Sequence, residues 1–303
     1  MKKYLFLALT LLFLVSCRGK QQQEQQPILT VTIEPLRYFT EAIAGDKFKV
    51  ESMVPEGNNP ETYDPTPQQL VSLSKSRAYL RIGYIGFEQI WMDKLKSNTP
   101  GLTVFDTSEG IMLIKENCSH HNNGNNHGHY HAEGIEPHIW NSVKNARIIA
   151  DNICKILSSL DTANTAYYRQ KRDSLDNIFD KTEKQIQANL PDSCTFLIYH
   201  PALTYFAHEY GLTQISIEEG GKEPSPSHLQ KLIKECQNRQ VNTVFIQKEF
   251  DTRNAELIAK EIKAKIVPIN PLNYNWPDEM IHISQALSKK CCLLYTSDAA
   301  DDR

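Results

Sequence analysis

Several things are missing from this chain, and each absence removes a class of function. Charge of one sign is missing: 33 Lys and Arg stand against 36 Asp and Glu, a net of −3. With no basic patch, nucleic acid is not a partner. Glycine is sparse at 13 of 303 residues, and no glycine-rich phosphate loop of the usual spacing occurs, so the chain has no nucleotide site of that kind. Seven cysteines are scattered without a CxxC pair, so a thiolate zinc knuckle is not indicated. No HExxH occurs either, which removes the commonest signature of an exported zinc hydrolase. The single long apolar run, from about Leu5 to Val15, is too short to span a bilayer comfortably.

That run belongs to the leader. Residues 1–17, "MKKYLFLALTLLFLVSC", place Lys2 and Lys3 before the apolar stretch and end on Ser16-Cys17. This is the layout of a secretory signal, and "LVSC" resembles a bacterial lipobox, which makes Cys17 the expected lipid-bearing first residue. Residues 18–27 are polar and of low complexity, a flexible tether. At the other end, residues 292–303, "CLLYTSDAADDR", read as translated adapter sequence and are set apart from the fold. An exported compartment permits disulfides, but spacing leaves the pairing of Cys118, Cys154, Cys194, Cys236 and Cys291 open.

Between these ends, short β-rich runs alternate with helical patterns. "ILTVTI", "FKVESMV", "AYLRIG" and "LTVFDTS" alternate with helices in residues 28–160, and "CTFLIYH", "TQISI", "TVFIQ" and "AKIVPIN" do so in 191–291. The rhythm predicts two α/β lobes, each with a parallel sheet. No sequence repeat relates them. Residues 161–190 join them: Tyr168, Leu175, Ile178, Phe179, Ile186 and Leu190 fall at helical period without Gly or Pro. Such a helix runs on the order of 40 Å, and as the only connector it would limit hinging.

The histidines are unevenly spread. Six of the ten lie between His120 and His138. His120, His121, His127, His129 and His131 sit among Asn and Gly in a loop spanning 118–133, which cannot form a core. Imidazole is a common zinc ligand, so this loop reads as a loose, accessory capture site. His138 differs, because Pro137 and Trp140 hold it in "EPHIWN". His200 ends an apolar strand, where ligand sites of α/β sheets gather. His208, His228 and His282 lie on helical patterns and read as surface or packing residues. Glu218, Glu219 and Glu223 read as a solvated acidic loop near the second lobe's cleft side.

"VPEGNNPETYDPTPQQL", "EPHIWNSVKNA", "YHPALTYFAHEYGL" and "INPL", in that order and spacing, resemble the zinc/manganese solute-binding lipoproteins of ABC importers, the high-affinity zinc-uptake type. The resemblance spans roughly residues 28–290. It implies two α/β lobes joined by one long helix, with a metal in the cleft between them. It also implies a ligand set. Glu61 stands where the family has a histidine, His138 and His200 match the second and third ligands, and Asn270 stands where an aspartate is usual. Two of the four positions depart from the family pattern. Because the departures exchange a carboxylate between lobes, Glu61, His138 and His200 are expected to bind directly. Asn270 would lie close by, with Gln247 as the next position to consider.

The resemblance implies a monomeric, lipid-anchored protein of the cell envelope, on the periplasmic or extracytoplasmic face. It would carry Zn²⁺ as cargo to an ABC permease and its ATPase, and would not be an enzyme. Manganese is the alternative cargo, since Glu61 and Asn270 add oxygen character. An adhesin or metal-buffering lipoprotein would use the same fold. A zinc hydrolase built on Glu61, His138 and His200 would need a general base that the sequence does not offer.

Overall fold

Strands that are apolar at every position are buried on both faces, the mark of a parallel sheet between helix layers. Leu29 and Val31, Ala78 to Leu80, Phe196 to Ile198, and Val244 with Phe245 are all fully buried. The computed structural model describes residues 26–115, 134–218 and 223–288, and these residues build two such sheets. The first contains β1 (Ile28–Val31), β2 (Lys49–Ser52), β3 (Ser76–Arg81) and β4 (Thr103–Asp106). The second contains β5 (Thr195–Ile198), β6 (Thr213–Ser216), β7 (Thr243–Gln247) and β8 (Lys265–Ile269). All pairings are parallel, with Leu29 opposite Ala78 in one sheet and Leu197 opposite Val244 in the other. The strand orders are β2-β1-β3-β4 and β6-β5-β7-β8. The two lobes thus share one topology without a visible sequence repeat.

The helices are α1 (Glu34–Ala44), α2 (Pro67–Leu73), α3 (Gly86–Asn98), α4 (Val143–Leu160), α5 (Thr165–Asn189), α6 (Thr204–Tyr210), α7 (Pro226–Asn238), α8 (Arg253–Ile262) and α9 (Trp276–Ala286). Their boundaries follow local chemistry. Thr66 and Gln69 form a capping box at α2. The side chains of Ser142 and Ser225 accept from the backbone N–H three residues on, starting α4 and α7. Gly211 closes α6 in the left-handed conformation, φ 67°.

Helix α5 is the expected connector, 25 residues long. It is not the only bond between the lobes. It packs against α1, α4 and α9. Phe39, Phe179 and Trp276, one from each of α1, α5 and α9, meet at ring-centroid separations of 5.2–5.6 Å. Trp140 Nε1 donates to the Pro271 carbonyl at 2.8 Å, and Trp276 Nε1 donates to the Trp140 carbonyl at 2.9 Å. The expected long connecting helix is present, and a shared apolar core and two tryptophan hydrogen bonds add to it. A periodicity argument sees one helix at a time and cannot show what packs on it.

Cys154 and Cys236 are buried free thiols. Among the described residues no helix is long and apolar enough to cross a membrane. Cys17, Cys118, Glu219, Cys291, Cys292, the tail, and His120, His121, His127, His129 and His131 lie outside the described residues.

Candidate metal centre

In an open parallel sheet, ligands collect beyond the carboxyl ends of the strands, where successive crossovers diverge. His200 follows β5, and Gln247 ends the adjacent β7. The Gln247 side chain clamps the His200 backbone: Oε1 accepts from His200 N and Nε2 donates to His200 O, both at 3.1 Å. The imidazole stacks on Phe250, with centroids 4.9 Å apart and planes 15° from parallel. Its Nδ1 lies 3.0 Å from Glu218 Oε2.

His138 comes from the long β4–α4 connection. Its backbone N–H donates to Glu136 Oε1 at 3.0 Å, and its Nδ1 bonds the same oxygen. Trp140 packs on the ring at 5.2 Å. Glu136 also accepts from the Thr204 hydroxyl of the other lobe at 3.1 Å. Burial would raise the Glu136 carboxyl, but attraction to His138 and the hydrogen bonds around it prevail and hold it below the ordinary carboxylate range.

The two imidazoles converge. His138 Nε2 and His200 Nε2 stand 3.2 Å apart, and both residues are buried. An ionised carboxylate only accepts, so each Nδ1 carries the hydrogen and each Nε2 is left with its lone pair toward the other ring. Two such lone pairs at this distance call for a proton or a cation between them.

Glu61 comes from the β2–α2 connection and is 4% exposed. Its Oε2 accepts from the Gly86 N–H at 2.9 Å, at the start of α3. A Cβ on Gly86 would fall 2.5 Å from that oxygen, so a larger residue there would push the Glu61 carboxylate off this seat. Glu61, His138 and His200 line one interlobe pocket, together with Glu249, Phe250 and Leu272. Among the described residues no three His, Cys, Asp or Glu side chains are gathered as a ligating cluster. The carboxylates therefore flank the imidazole pair without closing on it.

One expectation needs correction, the solvated reading of Glu218, and Asn270 and Gln247 are placed as follows. Asn270 does not line the pocket. Its Oδ1 accepts from Leu272 N–H at 3.1 Å and its Nδ2 points to Glu56 at 3.4 Å. A short polar side chain beside a turn serves the nearest backbone donor first. Gln247 is spent on the His200 backbone. Glu218 is no solvated residue, since its side chain is only 8% exposed and it bonds His200. Glu223 is exposed, and so are His208 and His282, while His228 is half-buried at the start of α7. Sequence reasoning missed Glu136, Glu218 and Glu249 as parts of the site. The available signals were the two-residue spacing of Glu136 and His138 and the position of the other two just beyond the carboxyl ends of β6 and β7.

The sequence matches the family described as zinc-uptake complex component A periplasmic over residues 29–289. A high-affinity zinc uptake system protein ZnuA from Bacillus subtilis (strain 168) is 28% identical, over 80% of this chain and 78% of that protein. A manganese ABC transporter substrate-binding lipoprotein PsaA from Streptococcus mitis is 29% identical, over 86% of this chain and 85% of that one. A crystal structure of ZnuA superposes with a TM-score of 0.78 at 33% identity, covering 86% of this chain and 97% of the other.

Proposed function

The chain belongs to the zinc-uptake complex component A family, and from that premise we propose that it captures Zn²⁺ between its lobes and delivers it to a membrane permease driven by an ATPase. It is an extracytoplasmic metal-binding component of an ABC importer. The observation that carries the zinc reading is the imidazole pair. Two histidines on one tetrahedral zinc, with Zn–N bonds of about 2.0–2.1 Å, stand about 3.3 Å apart. His138 and His200 stand 3.2 Å apart, each backed by a carboxylate. A carboxylate behind a ligating histidine fixes its tautomer and raises its basicity. Burial removes water from the entering ion, and the surrounding acidic groups compensate for that loss.

Manganese is the second reading. The two carboxylates in the pocket, Glu61 and Glu249, suit a harder ion, and one similar protein is named for manganese. Competition titration of zinc against manganese on the purified full chain separates the two. Zinc should win and bind one to one, whereas preferential manganese binding would overturn the assignment of cargo. The lipid anchor at Cys17 is part of the same proposal: Cys17→Ala should release the protein from the membrane fraction, and retention of the variant would refute it.

A further inference from the structure

We propose that Glu249 is the fourth metal ligand of this protein, in the place the family pattern gives to Asn270; this rests on the metal-capture reading above. The position follows from topology. Strands β5 and β7 pair directly, with Leu197 opposite Val244 and Ile198 opposite Phe245. His200 and Glu249 are thus carried by adjacent strand ends at the second sheet's crossover divide, where ligands gather. Gln247, two residues before Glu249, holds the His200 backbone by both ends of its amide, and Phe250, the next residue, stacks on the His200 ring. The turn carrying Glu249 is therefore fixed to the imidazole on both sides.

The second observation concerns the carboxylate itself. Glu249 lines the pocket that contains Glu61, His138 and His200, and its Oε1 is buried with no hydrogen-bond partner among the described residues. A buried carboxylate oxygen without a donor is costly, and in a native protein such an atom calls for an ion or another unplaced partner. The carboxylates behind the rings differ: Glu136 and Glu218 bond His138 and His200. Asn270 meanwhile is spent on Leu272 and Glu56. With Glu249 included, each lobe supplies one carboxylate and one imidazole. Glu61 and His138 come from the first lobe, His200 and Glu249 from the second. Because no three of these groups are yet gathered at ligating distance, Glu249 completes the set by turning toward the imidazole pair as the ion enters.

The test uses competition titration of zinc on the full chain for wild type, Glu249→Gln and Asn270→Ala, at about 0.1 M and at high salt. Melting of the metal-free proteins checks that each is folded, and Glu249→Ala replaces Glu249→Gln if that variant melts early. The expected result is an affinity loss of about tenfold or more for the Glu249 variant, persisting at high salt, with Asn270→Ala close to wild type. A loss that vanishes at high salt would mean distant attraction only and would overturn the proposal, as would a Glu249 variant equal to wild type. If wild type itself fails to bind zinc or manganese tightly, the capture reading falls and the ligand assignment falls with it. Tight wild-type binding with an indifferent Glu249 overturns the assignment alone.

Discussion

His138 and His200 meet Nε2 to Nε2 at 3.2 Å, and each is held from behind by a carboxylate, Glu136 for one and Glu218 for the other. The rings come from different lobes, so the contact exists only while the cleft is closed. A cation held by both Nε2 atoms would join the lobes. Under the proposed function, capture and closure would be the same event.

Metal affinity should fall as pH drops through about 6. Histidine ligates only when neutral, and free imidazole titrates near about 6.5. Zinc competition titrations at pH 7.5 and 5.5 check this, together with calorimetry in two buffers to count released protons. Affinity that stays flat over that interval would exclude His138 and His200 as ligands.

Gly86→Ala should weaken zinc binding roughly tenfold or more. The added Cβ would lie 2.5 Å from Glu61 Oε2 and 3.0 Å from the Glu61 carbonyl oxygen, so Glu61 must leave its seat on the Gly86 N–H. Melting of the metal-free variant separates this effect from unfolding. A variant with wild-type affinity would mean that Glu61 does not need that seat to bind.

The lobes should unfold as one unit. A single apolar cluster runs from Leu29 in the first sheet to Phe245 in the second and includes Phe39, Phe179 and Trp276. Phe39→Ala should cost about 3–5 kcal/mol and lower the midpoint of one urea transition. Two separated transitions in wild type would show that the shared core does not couple the lobes.

Glu88 should make stability depend on pH. It is buried in the first lobe, accepting from Ile82 N at 2.9 Å and Gly83 N at 2.5 Å and from the Thr32 hydroxyl. Burial raises its carboxyl to about 7, against the pull of those hydrogen bonds. A carboxyl raised in the folded state favours folding fully at pH below its unfolded value, and that contribution is lost as pH rises through about 7. Relative to Glu88→Gln, wild type should lose on the order of 3 kcal/mol between pH 4.5 and 8. Urea midpoints of both proteins across that range test it, and a constant gap would refute it.

Much of this molecule is written in local pattern. Apolar runs such as "TVFIQ" form β7 residue for residue, and the helical spacing of Leu175, Phe179 and Ile186 forms α5. His138 and His200 were legible because each stood in a restrained setting, beside Pro137 and Trp140 or at a strand end. The rest was decided only in three dimensions. Where Asn270 sits was not legible: its Oδ1 accepts from the Leu272 N–H two residues away, and a local donor of that kind is met before any distant group. Glu218 and Glu249 carry no periodic or motif signal; their placement comes from the parallel order β6-β5-β7, which sets their strand ends on either side of His200. Local sequence determines which segments are strands and helices, because backbone and side-chain preferences act over a few residues. Which carboxylate meets which imidazole is determined by crossovers between residues far apart in the chain, and that information exists only once the sheets are assembled.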